Sequence, residues 1–156
     1  MKPSEFISLL HSPLWIASLL ESFLSGAQRI KKEGLNFELI FLAIPILLDE
    51  DSLADLAKGN VNSNMSKIMG NSNLQSSYFK AKWSIDYYKP VTKKAIIILA
   101  SAQKLSVSSR VFLYDPIKSI SETDEYKKKY HKAAYNLGAM LAKEDSLDIM
   151  IKFGVI

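Results

Sequence analysis

Leu105-Ser-Val-Ser-Ser-Arg-Val-Phe-Leu-Tyr114 is the stretch in which the period of this chain changes. Its β-branched and aromatic residues fit two short strands joined near Ser108-Ser109, and Asp115-Pro116 ends the second. Everything around it reads as helix. Immediately upstream, Thr92 caps a helix that runs to about Gln103. Lys89-Pro90 separates that helix from a longer one beginning at Ser72, because the residue before a proline avoids helical angles. In the longer helix Leu74, Tyr78, Ala81, Ile85 and Tyr88 recur on one face, with Ser76, Lys80, Trp83 and Tyr87 opposite.

Further upstream, Ser12-Pro13 starts a helix that extends to about Glu33, with Leu14, Leu20, Phe23, Leu24, Ala27 and Ile30 as its apolar face. Lys31-Lys32 and Gly34 close it. A second helix, about Asn36 to Leu48, is apolar on nearly every side and belongs at the centre of the domain, with Pro45 kinking it or marking its last turn. Asp51 or Ser52 caps a short helix from Leu53 to Lys58, ended by Gly59. A turn at Asn60 to Asn64 leads to a weak helical turn around Met65 to Met69, closed by Gly70. Downstream, Ser121 to about Lys143 returns to helix with Tyr126, Tyr130, Ala133, Leu137 and Met140 in line, and Asp145 or Ser146 caps a last short helix to Phe153. Helix, helix, helix, hairpin is the outline of a winged helix-turn-helix. The fold expected is therefore mainly α with a small β-hairpin: one domain over 1–156, with a winged-helix-like core at about 36–115 and flanking helices at 12–33 and 121–153.

The 156 residues, 48% of them apolar and 23% charged, suit one globular domain with a sizeable core. With no cysteine, disulfides, thiol nucleophiles and thiolate metal sites are excluded. Met1-Lys-Pro-Ser-Glu5 lacks the basic and apolar regions of a secretory signal, so a cytoplasmic location is expected. The longest uncharged apolar run, Leu39 to Leu48, carries Pro45 and falls well short of the roughly 20 residues that a spanning helix needs, so no membrane partner is expected.

The net charge of +4 conceals a segregation. Residues 1–60 hold 5 basic and 8 acidic side chains, residues 61–120 hold 9 and 2, and residues 121–156 hold 6 and 6. Lys80, Lys82, Lys89, Lys93, Lys94, Lys104 and Arg110 make the middle third a candidate for non-specific contact with the phosphates of double-stranded DNA, or with an acidic protein surface. Sequence-specific reading by the helix before the hairpin is disfavoured. Its middle is Ile96-Ile97-Ile98-Leu99, and four consecutive aliphatics cannot all point inward on one helix. An outward isoleucine suits a protein partner better than a DNA groove. Candidate partner-binding residues are Ile97, Phe112 and Tyr114 on the hairpin, and Ile151 and Phe153 at the end of the chain. Lys127-Lys-Lys129 with Lys132 reads as the solvated side of a stable helix.

Catalytic constellations do not assemble. His11 and His131 stand alone, no glycine-rich phosphate loop or nucleophile elbow occurs, and Asp49-Glu-Asp51 reads as a helix start. The expectation is a protein that is not an enzyme and takes no cofactor or metal.

Three blocks carry a further signal: His11-Ser-Pro-Leu-Trp-Ile-Ala-Ser-Leu-Leu-Glu-Ser-Phe23; Gly34-Leu-Asn-Phe-Glu-Leu-Ile-Phe-Leu-Ala-Ile-Pro-Ile-Leu-Leu48; and Ala133-Ala-Tyr-Asn-Leu-Gly-Ala-Met-Leu-Ala142 leading to Phe153-Gly-Val155. Their order and spacing resemble the middle component of bacterial three-component ABC systems, a family that includes the small accessory subunit of Lamassu-type anti-phage complexes. Pro13, Gly34, Pro45, Gly138, Gly154 and Val155 match its outline, while Ile156 stands where the family continues with Arg-Pro. The resemblance implies a non-catalytic accessory subunit that bridges an SMC-like ABC ATPase, the DNA sensor, to an effector, commonly a nuclease, and controls its activation. A second reading stays open: a winged-helix DNA-binding transcriptional regulator acting as a homodimer.

Overall fold

Two glycines set the closest helix contact in the molecule. In the computed structural model, which describes residues 2–60, 62–63 and 72–152, helix α2 (Pro13–Ile30) lies against helix α6 (Glu125–Lys143). A Cβ placed on Gly26 would overlap the Tyr135 carbonyl oxygen, and one on Gly138 would overlap that of Phe23. Hydrogen in place of a side chain lets each backbone touch the other. Around this crossing Ile16, Leu19, Leu20, Phe23 and Leu24 of α2 and Ala133, Ala134, Leu137 and Met140 of α6 are buried.

The remaining elements close on this pair. They are α1 (Pro3–Leu10), β1 (Leu35–Asn36), a 3-10 turn (Phe37–Leu39), α3 (Ile40–Leu47), α4 (Glu50–Lys58), α5 (Ser72–Ser101), β2 (Leu105–Val107), β3 (Arg110–Leu113) and α7 (Ser146–Lys152). The fold is mainly helical with a small antiparallel sheet, as the periodicities predict. Every residue of α3 is buried, which its all-round apolar sequence requires, and Pro45 sits inside the helix. Asn136 of α6 donates to the carbonyls of Leu56 (2.8 Å) and Gly59 (3.0 Å), closing the end of α4.

The sheet has three strands, not two. β3 is central, pairing with β2 through Leu105↔Leu113, Ser106↔Phe112 and Val107↔Val111, and with β1 through Leu35↔Val111 and Asn36↔Arg110. The helix expected from Asn36 is delayed because Asn36 is held in the sheet. The Arg110 guanidinium donates to Asn36 Oδ1 (3.0 Å) and to the carbonyls of Gly34 (2.6 Å) and Glu33 (3.3 Å). Gly34 adopts φ +81°, with its α-carbon face against the Val111 carbonyl. Beyond the two residues of β1, the Gln28 side chain continues the ladder: Nε2 donates to the Leu113 carbonyl (3.0 Å) and Oε1 accepts its N–H (2.7 Å).

Other boundaries also move for local reasons. The Pro90 break does not occur, and α5 is continuous over 30 residues. Pro90 denies a donor to the Asp86 carbonyl, but both residues are exposed, where solvent supplies one. Thr92, rather than capping a new helix, donates its hydroxyl to the Tyr88 carbonyl at 2.9 Å. α5 instead ends at Ser101 and is closed by Gln103, whose φ of 57° lets Lys104 N–H reach Leu99 O and Gln103 N–H reach Ala100 O. α2 stops at Ile30, because Lys31 turns extended. Leu14, expected on its core face, is 71% exposed, and Ile30 and Tyr126 are exposed too.

Asp49 caps α4 through Ser52 N–H (3.1 Å), in place of Asp51 or Ser52. Asp124 caps α6 through Lys127 N–H (3.0 Å), which leaves residues 121–124 outside the helix. Asp145 caps α7 through Asp148 N–H (3.1 Å), as expected. α1 has no counterpart in the sequence reading. The helical turn expected at Met65 to Met69 and its closing Gly70 lie outside the described residues.

Gly138→Ala forces a methyl into the Phe23 backbone and is expected to destabilise by about 3 kcal/mol, the upper end for overpacking. Gln103→Gly is expected to stabilise by about 1 kcal/mol, since only glycine is free of the left-handed penalty. Urea unfolding of each variant measures both.

Candidate functional site

The outward face of the second half of α5 gathers the expected features most closely. At about 100° per residue, Lys93, Lys94 and Ile97 fall on one side of the helix with Pro90, Ala100 and Ser101, and all six are exposed. Thr92, Ala95, Ile96 and Leu99 fall on the other side and are buried. The aliphatic run therefore divides as its length demands: Ile96 inward, Ile98 partly buried, and Ile97 outward with 63% of its surface exposed. Packing the other two isoleucines leaves no room to turn the third inward.

The other basic candidates stand in different circumstances. The Lys89 ammonium lies 5.6 Å from the centre of the Phe41 ring, a cation–π distance. Lys104 Nζ pairs with Glu21 Oε2 at 3.2 Å, and Arg110 donates to the three acceptors that hold β1. Lys80 and Lys82 fall within α5, but their side chains, like that of Trp83, lie outside the described residues. Lys93 and Lys94 are thus the basic candidates that frame an exposed apolar side chain.

A second surface is the outer side of the sheet. Arg110 and Phe112 point away from the core, opposite the buried Val111 and Leu113 of the same strand. Phe112 is half-buried and meets Tyr114 edge to face at 5.7 Å, while Tyr114 is 64% exposed. The third candidate area is α7, where Leu147 and Ile151 are exposed. Phe153 lies outside the described residues.

One polar pair was missed in the sequence because its members are 109 residues apart. Ser22 Oγ and His131 Nδ1 are 2.7 Å from each other, joining α2 to α6. The imidazole stands edge-on to the Trp15 ring at 5.2 Å. Burial holds its pKa below the ordinary histidine value of 6.5, against the opposing pull of Glu122 and Glu21. A hollow of about 280 Å³ opens beside the pair, bordered by Ser119, Ser121, Glu122 and Thr123 of the segment before α6. Ser22 is fully buried in the helix seam, and with His131 it forms the inner wall of the hollow. The signal in the sequence was slight: Ser22 stands in a row of small polar residues, Ser18, Ser22 and Ser25, at helical spacing. Among the described residues no group of three or more His, Asp or Glu side chains is placed to hold a metal ion.

The family described as ABC-three component (ABC-3C) system Middle Component 3 matches residues 2–156. The match spans the described structure from α1 to α7, and the chain belongs to this family. No curated protein and no solved structure matches the chain.

The Ser22–His131 contact predicts a pH dependence with a defined sign. Because the folded-state pKa of His131 is lowered, the unfolded chain binds the proton first as pH falls below about 6.5. Its contribution to stability is complete above that pH and declines as the medium is acidified through the folded-state pKa. The melting temperature is expected to fall between pH 7 and pH 5, and His131→Gln to flatten that part of the profile; an equally steep profile in the variant assigns the loss to other groups.

Proposed function

We propose that this middle component of an ABC-three component system is a non-catalytic accessory subunit of a cytoplasmic anti-phage or anti-plasmid complex of Lamassu type. In this reading it joins an SMC-like ABC ATPase to a nuclease effector and controls the effector's activation. Bridging needs at least two separate docking areas on one small chain. The observation that carries the reading is that large apolar side chains stand exposed on separate elements: Ile97 on α5, Tyr114 beyond β3, and Leu147 and Ile151 on α7. A non-catalytic role accords with a Ser–His pair whose serine is fully buried in a helix seam. No helix among the described residues is long and apolar enough to cross a membrane.

One observation favours a second reading. α5 leads directly into the β2–β3 hairpin, and β1, from between α2 and α3, completes a sheet in the order β1-β3-β2. We read this as winged-helix-like, an arrangement whose helix before the wing enters the major groove in DNA-binding proteins. A homodimeric transcriptional regulator would use it that way. Ile97, projecting near the C-terminal end of that helix, weighs against groove entry.

Co-expression of this chain with its genomic neighbours, affinity purification and mass determination separate the readings. An assembly containing the ATPase and the effector is expected. A free homodimer that shifts a defined duplex would replace the bridge with the regulator.

A further inference from the structure

The exposed strip of α5 has a composition that selects among partners. It runs from Asp86 and Tyr87 through Pro90, Lys93 and Lys94 to Ile97 and Ser101, all exposed, over fifteen helical steps, or about 22 Å. Its width is that of one helix face. Along its middle line lie Pro90 and Ile97, with Tyr87 and Ala100 at its margins, so the centre is apolar. The two lysines flank that line about one turn before Ile97, and Asp86 is the acid on it.

Duplex DNA fits this strip poorly. Two lysines neutralise two phosphates, which gives a salt slope of only about −1.8, too little for appreciable affinity at physiological ionic strength. Ile97 would meet phosphate or solvent. A second copy of this chain fits no better. Its acidic amphipathic helix, α4, carries Glu50, Asp51 and Asp55 but has only nine residues and already buries Leu53 and Leu56 in its own core, so it cannot run along four turns of α5.

We propose that this strip docks an acidic amphipathic helix of another subunit of the system, with Pro90 and Ile97 set into its apolar seam and Lys93 and Lys94 paired with carboxylates on its flanks. The proposal rests on the bridging reading above and gives one of its surfaces a chemistry. Helix-on-helix packing along about four turns would bury the apolar line. The flanking charges would steer the approach and fix which way the strip is met.

The test uses the full chain with each purified subunit encoded beside it, measured by calorimetry or interferometry at increasing NaCl. The expected result is binding to one subunit that weakens as salt rises. Lys93→Glu with Lys94→Glu should weaken it at least about tenfold, as should Ile97→Ser, while Ile97→Leu stays near the wild-type value. Lys128→Glu with Lys129→Glu, on the exposed side of α6, should leave it unchanged, and circular dichroism and melting temperature identify any variant that has lost its fold. Equal affinity of the folded Lys93/Lys94 variant and the wild type would overturn the proposal while leaving the bridge intact. So would loss of duplex binding, or of a homodimer, with subunit binding preserved. Failure of the wild-type chain to bind any neighbouring subunit would overturn both.

Discussion

The architecture depends on how closely α2 and α6 approach. At Gly26 and Gly138 each helix presents bare backbone to the other, and no side chain fits between them. That proximity brings the Ser22 hydroxyl within hydrogen-bonding distance of His131 and lets Phe23, Leu24, Leu137 and Met140 pack in one layer. It also fixes the platform on which α3 is buried all round, since an eight-residue apolar helix with a proline inside is stable only when surrounded. A seam of this kind tolerates little change in volume, because close-packed interiors transmit strain rather than absorb it.

The sheet is attached to this platform by side chains, and that explains which part of the fold was legible. The helices announced themselves through apolar spacing, and the β2–β3 hairpin through its β-branched and aromatic residues around Ser108-Ser109; local pattern and tertiary packing agree there. β1 did not. Leu35-Asn36 is too short to carry a period, and its strand geometry comes from Arg110, 74 residues away from Asn36 along the chain. Gln28 likewise sits on a helix but behaves as a ladder partner for Leu113. Pro90 misled for the complementary reason. Its rule concerns local geometry, yet an exposed carbonyl next to water bears the loss of a donor at little cost, and the buried side of α5 keeps the helix whole.

The interaction surfaces were legible to a similar depth. Counting aliphatics required one of Ile96, Ile97 and Ile98 to face outward, and packing of Ala95, Ile96 and Leu99 selects Ile97. The continuous apolar run from Val111 to Tyr114 marked the hairpin as a candidate surface, and the structure turns Phe112 to its outer side. Charge was less informative, because a run of basic residues records composition and not engagement. Only in three dimensions does Arg110 become a structural clamp, Lys104 a partner of Glu21, and Lys89 a neighbour of the Phe41 ring.

That redistribution bears on what a small basic subunit can do. A patch of seven cations in the sequence suggests a strong, salt-sensitive hold on DNA, whereas cations that already satisfy internal acceptors must give up those contacts before meeting phosphate. Releasing Arg110 would free the Asn36 and Gly34 oxygens it holds and loosen β1, so its guanidinium binds β1 more readily than an external anion. The same logic raises the weight of each apolar group left outside. In a chain whose core is already full, Ile97 and Tyr114 remain exposed on either side of the turn that joins α5 to the sheet. The adjoining Lys104 carbonyl is held by Tyr114 N–H, so the end of α5 and the end of β3 are mechanically joined. A partner that engages both side chains would therefore bear on helix and sheet together.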